Sequence, residues 1–148
     1  NSKMNDLEAA LGLESIELFD EHFNKRKNNL CKLLELTKDI SKYCYFIKEE
    51  NYEKISPHAF PLVLKDEKYD RERLYKYLES KGIQCKTLFG CLPTQHNAFK
   101  FLKYKYGQFP VAEYVGKNGL HFGCHQYMTE DDLIFIKNTL EEYFNKYE

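Results

Sequence analysis

The run Asn1-Ser2-Lys3-Met4-Asn5-Asp6-Leu7-Glu8-Ala9-Ala10-Leu11 begins a helix, and the rest of the chain is organised around it. Asn5 has the short polar side chain of an N-cap, and Glu8 stands three residues on, where it can return a bond to the Asn5 amide. Asp6 and Glu8 put negative charge in the first turn, at the positive end of the helix dipole. No proline follows until Pro57, so the spacing predicts a helix to about Leu36, roughly 30 residues and ~45 Å long. Its apolar residues change face partway. Leu7, Ala10, Leu11 and Leu18 share one side at 100° per residue. Ile16, Phe19, Phe23, Leu30 and Leu34 share another, rotated by roughly 120°. Two offset stripes imply two packing partners: this domain for one half, and for the other a further domain or a second subunit.

Past Leu36 the pattern becomes that of a small α/β unit. Tyr43 to Ile47 allows a short strand. His58 to Leu64 reads as a strand with Phe60, Leu62 and Leu64 on one face, and Pro61, which has no amide donor, places it at a sheet edge. Asp70 caps a helix through Lys81, with Leu74, Tyr77 and Leu78 inward and Gly82 just past its end. Ile83 to Phe89 alternates as a second strand. Two short helical pieces follow, at about Thr94–Tyr104 and Pro110–Gly116, the second with proline at its first position. Leu120 to Cys124 makes a third strand. Thr129 caps the last helix, whose buried stripe is Leu133, Ile136, Leu140, Phe144 and Tyr147. The reading is a short sheet of about three strands with helices on one face and a long N-terminal helix. Residues 1–36 form the connecting helix and residues 37–148 the small domain.

Composition narrows the function classes. A chain of 148 residues with 22 basic and 23 acidic side chains has neither the basic footprint of a nucleic-acid binder nor a membrane-surface patch. It has no apolar run long enough to span a bilayer. Five cysteines without tight framework spacing suit a reducing cytoplasm.

Cys85, Cys91, His96, His121, Cys124 and His125 are the residues with metal-ligand or nucleophile chemistry. Structural zinc sites pair their ligands at Cys-x₂₋₄-Cys or His-x₃₋₅-His spacing. Only His121-x-x-Cys124 is tight here, and in an extended segment those two side chains point to opposite faces. Buried cysteines beside surface histidines are the reading, and no metal site is assigned. Cys124 and His125 are neighbours in sequence, which does not turn a thiol toward its base. Gly116, Gly119 and Gly123 do not precede a helix as a phosphate loop requires. Lys25-Arg26-Lys27 reads as a solvated helix face. Taken alone, the residues assemble no catalytic constellation.

Three stretches carry a family resemblance. Asn1-x-Lys3-Met4-Asn5-Asp6-Leu7-Glu8-Ala9-Ala10-Leu11-Gly12-Leu13 resembles the Asn-x-Arg-Met-Thr-Asp-Leu-Gln-Ala-Ala-Ile-Gly-Leu signature of DegT/StrS-type sugar aminotransferases. Phe109-Pro110-Val111-Ala112-Glu113 is similar to the family's Phe-Pro-x-Ala-Glu run. Gly123-Cys124-His125-Gln126-Tyr127-Met128-Thr129-Glu130-Asp131-Asp132-Leu133 resembles its Pro-Leu-His-Pro-Gly-Leu-Thr-Glu-Glu-Asp-Val. The resemblance implies a C-terminal small domain of the aspartate-aminotransferase fold (fold type I), without the large domain that carries the Schiff-base lysine. It implies pyridoxal phosphate as cofactor of the whole enzyme, an amino donor and a keto-sugar nucleotide as substrates, and a homodimer or larger assembly. Asn1 matches the asparagine that reaches the cofactor phosphate of a neighbouring subunit. Lys3 stands where the family has Arg, keeping the charge but losing the bidentate fork, near the substrate diphosphate. His125 matches the histidine of the loop facing the substrate.

Leu88-Phe89-Gly90-Cys91-Leu92-Pro93-Thr94-Gln95 is closer to the Leu-Phe-Ala-Gly-Asn-Leu-Thr-Arg pattern of the related sugar 3-dehydrases, which keep the cofactor but carry histidine in place of the lysine. Aminotransferase and dehydrase therefore both stay open, with the aminotransferase favoured. From a different class, a free-standing module binding a ligand in the loops around Phe89–Gln95 and His125 is the alternative.

Overall fold

The computed structural model describes residues 3–88 and 92–148. Asn5 caps helix α1, Asp6–Glu17, through the reciprocal pair the sequence predicts. The Glu8 amide donates to Asn5 Oδ1 at 2.9 Å and the Asn5 amide to Glu8 Oε2 at 3.0 Å. The helix does not run unbroken to Leu36. It stops at Leu18, and α2, Phe19–Leu36, starts at the next residue. Leu18 keeps right-handed backbone angles and its carbonyl accepts from the His22 amide at 3.0 Å, so helical bonding resumes within one turn.

No residue of α1 is buried; Leu7, Leu11, Leu13 and Ile16 all lie open. In α2, Leu30 and Leu33 are buried. Ile16 and Phe19, assigned by periodicity to the packed stripe, are 72% and 59% exposed. The reason is reach: the aromatic and cation–π contacts to α2 begin beyond them, from Tyr127 to His22 and from Lys54 to Phe23.

The sheet has four strands where about three were expected: β1 Cys44–Phe46, β2 Ala59–Leu64, β3 Cys85–Thr87 and β4 Gly119–Gly123, in the order β1-β2-β4-β3 with every neighbour antiparallel. Strand β2 is therefore not an edge. Pro61 is tolerated for a local reason. The Lys65 amide donates to the Tyr43 carbonyl at 2.9 Å, so by two-residue alternation Val63 and Pro61 also aim their nitrogens toward β1. β1 ends at Phe46, opposite Leu62, one residue before it would face Pro61. The absent donor costs no ladder bond.

Alternation also sorts the faces. Phe60, Leu62 and Leu64 of β2, with Leu120 and Phe122 of β4, are buried in one core with Leu33 of α2, Leu74 and Leu78 of α3 (Arg71–Ser80) and the inner side of α5 (Glu130–Tyr147). Helix α4, Pro110–Asn118, lies on the other face, so the helices are not confined to one side. A Cβ built on Gly119, an outer-face position opposite Val63, would sit 2.5 Å from the Val115 carbonyl oxygen and 2.9 Å from Leu88 Cβ. Gly119 thus lets α4 close on the sheet. Gly119→Ala is expected to cost about 1–3 kcal/mol by overpacking against backbone, read as a lower urea midpoint at unchanged slope; an unchanged midpoint would show that α4 does not close there.

The entry to α4 explains the Phe-Pro-x-Ala-Glu run physically. Pro110 fills the first helical position, where no amide is needed. The carboxylate of Glu113, 9% exposed, accepts from the Gly107 amide at 2.8 Å and the Phe109 amide at 3.3 Å. Gly107 sits at φ 94°, which suits a residue without Cβ. At α3, Asp70 caps from φ 46°, and the Tyr143 hydroxyl of α5 donates to the carbonyl of Tyr69 beside it. Tyr143 is fully buried and belongs to the core stripe that periodicity left without it, while Tyr147 at that stripe's end is only partly covered. Among the described residues no helix is long and apolar enough to cross a membrane.

Candidate functional site

The loop between β4 and α5 is built residue by residue against α2. Cys124 is fully buried and its thiol reaches the Arg26 carbonyl at 3.8 Å. The His125 carbonyl accepts from Asn29 Nδ2 at 2.8 Å. The Gln126 amide oxygen accepts from Arg26 Nε at 2.7 Å. Tyr127 meets His22 edge to face, ring centroids 6.0 Å apart. The loop then passes into α5 through a capping box in which the Thr129 amide donates to Asp132 Oδ2 at 2.7 Å. That bond holds the Asp132 carboxyl below its usual value.

The His125 side chain itself is exposed. Its Nδ1 accepts from the Tyr127 amide at 3.2 Å, so the neutral ring carries its proton on Nε2 and presents a donor there. It edges a recess of about 400 Å³ together with Gln84, Met128 and Asp132. A fixed imidazole donor beside polar groups can orient a hydroxyl or carbonyl of a ligand.

A second hollow, about 410 Å³, lies on the outer face of the sheet and is lined by apolar groups including Ile47, Ile55, Pro61 and Leu88, with His58 and His121 among its polar members. The two imidazoles meet edge to face at 6.2 Å. Burial, then the neighbouring His58 and Lys86, lower the His121 pKa. The hollow and the His125 recess are distinct: Phe122 and Ile136 beside His125 face the core under α2, α3 and α5, whereas Pro61 and His121 lie on the opposite face of the sheet.

The residues assigned from the sequence are not gathered in one place. Asn1 lies outside the described residues, as do Phe89, Gly90 and Cys91 of the Leu88–Gln95 run. Lys3 is exposed ahead of α1. Asp6 and His22, where the His125 loop meets α2, stand sixteen positions apart, roughly 24 Å at the helical rise. Within one chain Lys3 and His125 therefore do not share a site. Cys85 and Cys124 are buried, and burial pushes their thiols up to about 12 and about 11, far from a thiolate nucleophile. Periodicity missed Arg26 and Asn29, the residues that fix the loop. The signal was present: Asn29 is a poor helix former in the middle of a helix, on the side that also buries Leu30 and Leu33.

This four-stranded sheet and its helices have the fold of the small α/β part of the fold-type I aminotransferases. The model of the DegT/DnrJ/EryC1/StrS aminotransferase family matches residues 1–141, and the chain belongs to that family. The UDP-4-amino-4,6-dideoxy-N-acetyl-beta-L-altrosamine transaminase of Campylobacter jejuni is 31% identical over 145 residues, which are 95% of this chain and 37% of the transaminase. The GDP-4-keto-6-deoxy-D-mannose 3-dehydratase of Escherichia coli is 25% identical over 139 residues, 92% of this chain and 35% of the dehydratase. Among solved structures, Helicobacter pylori PseC, an aminotransferase involved in the biosynthesis of pseudoaminic acid, has a TM-score of 0.84 at 17% identity, covering 97% of this chain and 38% of its own. The chain spans little more than a third of the length of the curated relatives it matches.

Proposed function

We propose that this chain is the small domain of a pyridoxal-phosphate enzyme that transfers an amino group from a donor such as glutamate to a keto-sugar nucleotide. The observation that carries the reading is α1: a capped helix that carries the Asp6–Leu13 part of the family's first motif and buries no side chain of its own. Several exposed leucines on one helix require a further body to cover them. A large cofactor domain, a neighbouring subunit in a homodimer, or both supply that cover.

Pyridoxal phosphate needs a lysine amine of low pKa, a carboxylate and phosphate donors converging in one pocket. Among the described residues no lysine lines the apolar hollow or the His125 recess. At Lys25 and Lys81 a glutamate bond raises the lysine pKa, the opposite of what a Schiff-base amine needs. The described residues do not fit the cofactor by themselves, and no step through it follows from them. What they supply is placement. His125 Nε2 offers a donor to a sugar hydroxyl or to the keto oxygen. Lys3 offers charge to a diphosphate, and its distance from His125 along the helix supports a contact made in a different site from that of His125. Asn1 serves the cofactor phosphate in the same way.

The similarity to a 3-dehydratase, with the dehydrase-like Leu88–Gln95 stretch, supports the second reading: the same scaffold removing a sugar 3-hydroxyl. The fate of the donor nitrogen separates the two. Both reactions consume glutamate, because exchanging the sugar 3-hydroxyl for hydrogen takes two electrons, which the donor gives up as it becomes 2-oxoglutarate. The full-length protein, supplied with cofactor, glutamate and a 4-keto sugar nucleotide, is expected to leave the donor nitrogen on the sugar. Loss of the 3-hydroxyl with that nitrogen released as ammonia would establish the dehydrase instead. A free-standing module would do neither.

A further inference from the structure

We infer that Asn29 is a positioning residue: its side-chain amide, carried on α2, fixes the backbone of His125 and so sets where the imidazole donor meets the substrate. The inference rests on the functional reading above, and it adds the residue through which the helix acts on the loop.

Three observations support it independently of the family. Asn29 is 7% exposed in the interior of a helix, where asparagine is a poorer helix former than alanine. It has no capping duty there, and its Nδ2 is given to the His125 carbonyl at 2.8 Å, 96 residues away in sequence. Consecutive loop residues are tied to one stripe of α2, Cys124 and Gln126 to Arg26 and His125 to Asn29, positions one turn apart on a single helix face. Yet the ring that these bonds aim is exposed, held by its own loop through the Tyr127 amide and a tilted contact with the Tyr127 ring. The loop anchors itself through buried Cys124 and these ties, and presents the imidazole at the surface.

The placement has a further consequence. The helix that fixes His125 resumes directly from α1, whose apolar side chains are uncovered. The same rod that docks onto the other body also carries the reference point for the imidazole, so the ring is registered to that body and not only to its own domain.

A double-mutant cycle in the full-length enzyme tests this. Asn29→Ala is expected to lower kcat/KM for the sugar nucleotide about tenfold when His125 is present, and by less than about twofold in the His125→Ala background, because a residue acting through His125 has nothing left to act on. Equal losses in both backgrounds would make Asn29 merely structural and overturn the inference, as would no loss in either. Hydrogen–deuterium exchange of the 124–128 peptide reads the coupling without turnover: Asn29→Ala is expected to speed it about tenfold, and unchanged exchange overturns the inference. If Asn29→Ala does not fold, Arg26→Met removes the neighbouring tie to Gln126 and is expected to show the same pattern in the cycle and in exchange. An unmodified enzyme that turns over no sugar nucleotide would overturn the functional reading, and exchange alone would then decide the role of Asn29.

Discussion

The 148-residue chain, purified and mixed with pyridoxal phosphate and glutamate, is expected to give no site-specific adduct after borohydride and no 2-oxoglutarate. The expected effect is complete loss relative to the full-length enzyme. A surface lysine with an amine pKa near 10.4 is almost wholly protonated at neutral pH and cannot compete as a nucleophile. Lys25, Lys81 and Lys117 are pushed further that way by bonds to Glu21, Glu142 and Glu67, and Lys42 and Lys68 by bonds to Tyr43 and Tyr69. The lysines beside the recesses do not alter this. Lys86 edges a shallow polar recess with Glu72, and Lys117 is paired with Glu67 at 2.7 Å. Peptide mapping of the reduced mixture checks the expectation. A single modified lysine at stoichiometric yield, with donor turnover, would mean that this domain holds the cofactor unaided.

Phe144→Ala is expected to cost about 3–5 kcal/mol, a large fraction of the total stability of a domain this size. Phe144 is fully buried. It stacks on Tyr43 at 4.7 Å and meets Tyr69 and Tyr143 edge to face, both at 5.3 Å. Those rings belong to three separate segments, the turn before β1, the turn before α3 and α5, so removing the central one leaves a cavity that no single element can collapse to fill. The neighbouring hydroxyl bond from Tyr143 to Tyr69 would lose its packed support. Urea unfolding followed by tyrosine fluorescence measures the change. A loss under about 1 kcal/mol would show that this aromatic cluster is not the centre of the core.

The sequence was most legible where local chemistry decides structure. The Asn5–Glu8 and Thr129–Asp132 boxes, the Asp70 cap and Pro110 at a helix start all stand where short-range rules put them. It was least legible where tertiary neighbours decide. Pro61 pointed to an edge strand, because the sequence does not reveal that β1 stops one residue short of it. Three residues, Cys44–Phe46, are too few for periodicity to separate a strand from a loop. Ile16 and Phe19 lie on the same helical stripe as Phe23, and only the positions of Tyr127 and Lys54 decide where covering begins. For the site, the resemblance found the His125 loop, but the ties from Arg26 and Asn29 span about a hundred residues and have no sequence period. Nothing local could pair His58 with His121 across two strands either.

Full turnover tests the central claim most directly. The full-length protein is supplied with pyridoxal phosphate, glutamate carrying isotope-labelled nitrogen, and a nucleotide-linked 4-keto sugar, and the products are weighed by mass spectrometry. An amino group transferred to a keto carbon on this scaffold puts the labelled nitrogen into the sugar nucleotide, with 2-oxoglutarate formed in equal amount. A sugar nucleotide that loses its 3-hydroxyl without gaining nitrogen, or one returned unchanged, would contradict the aminotransferase assignment.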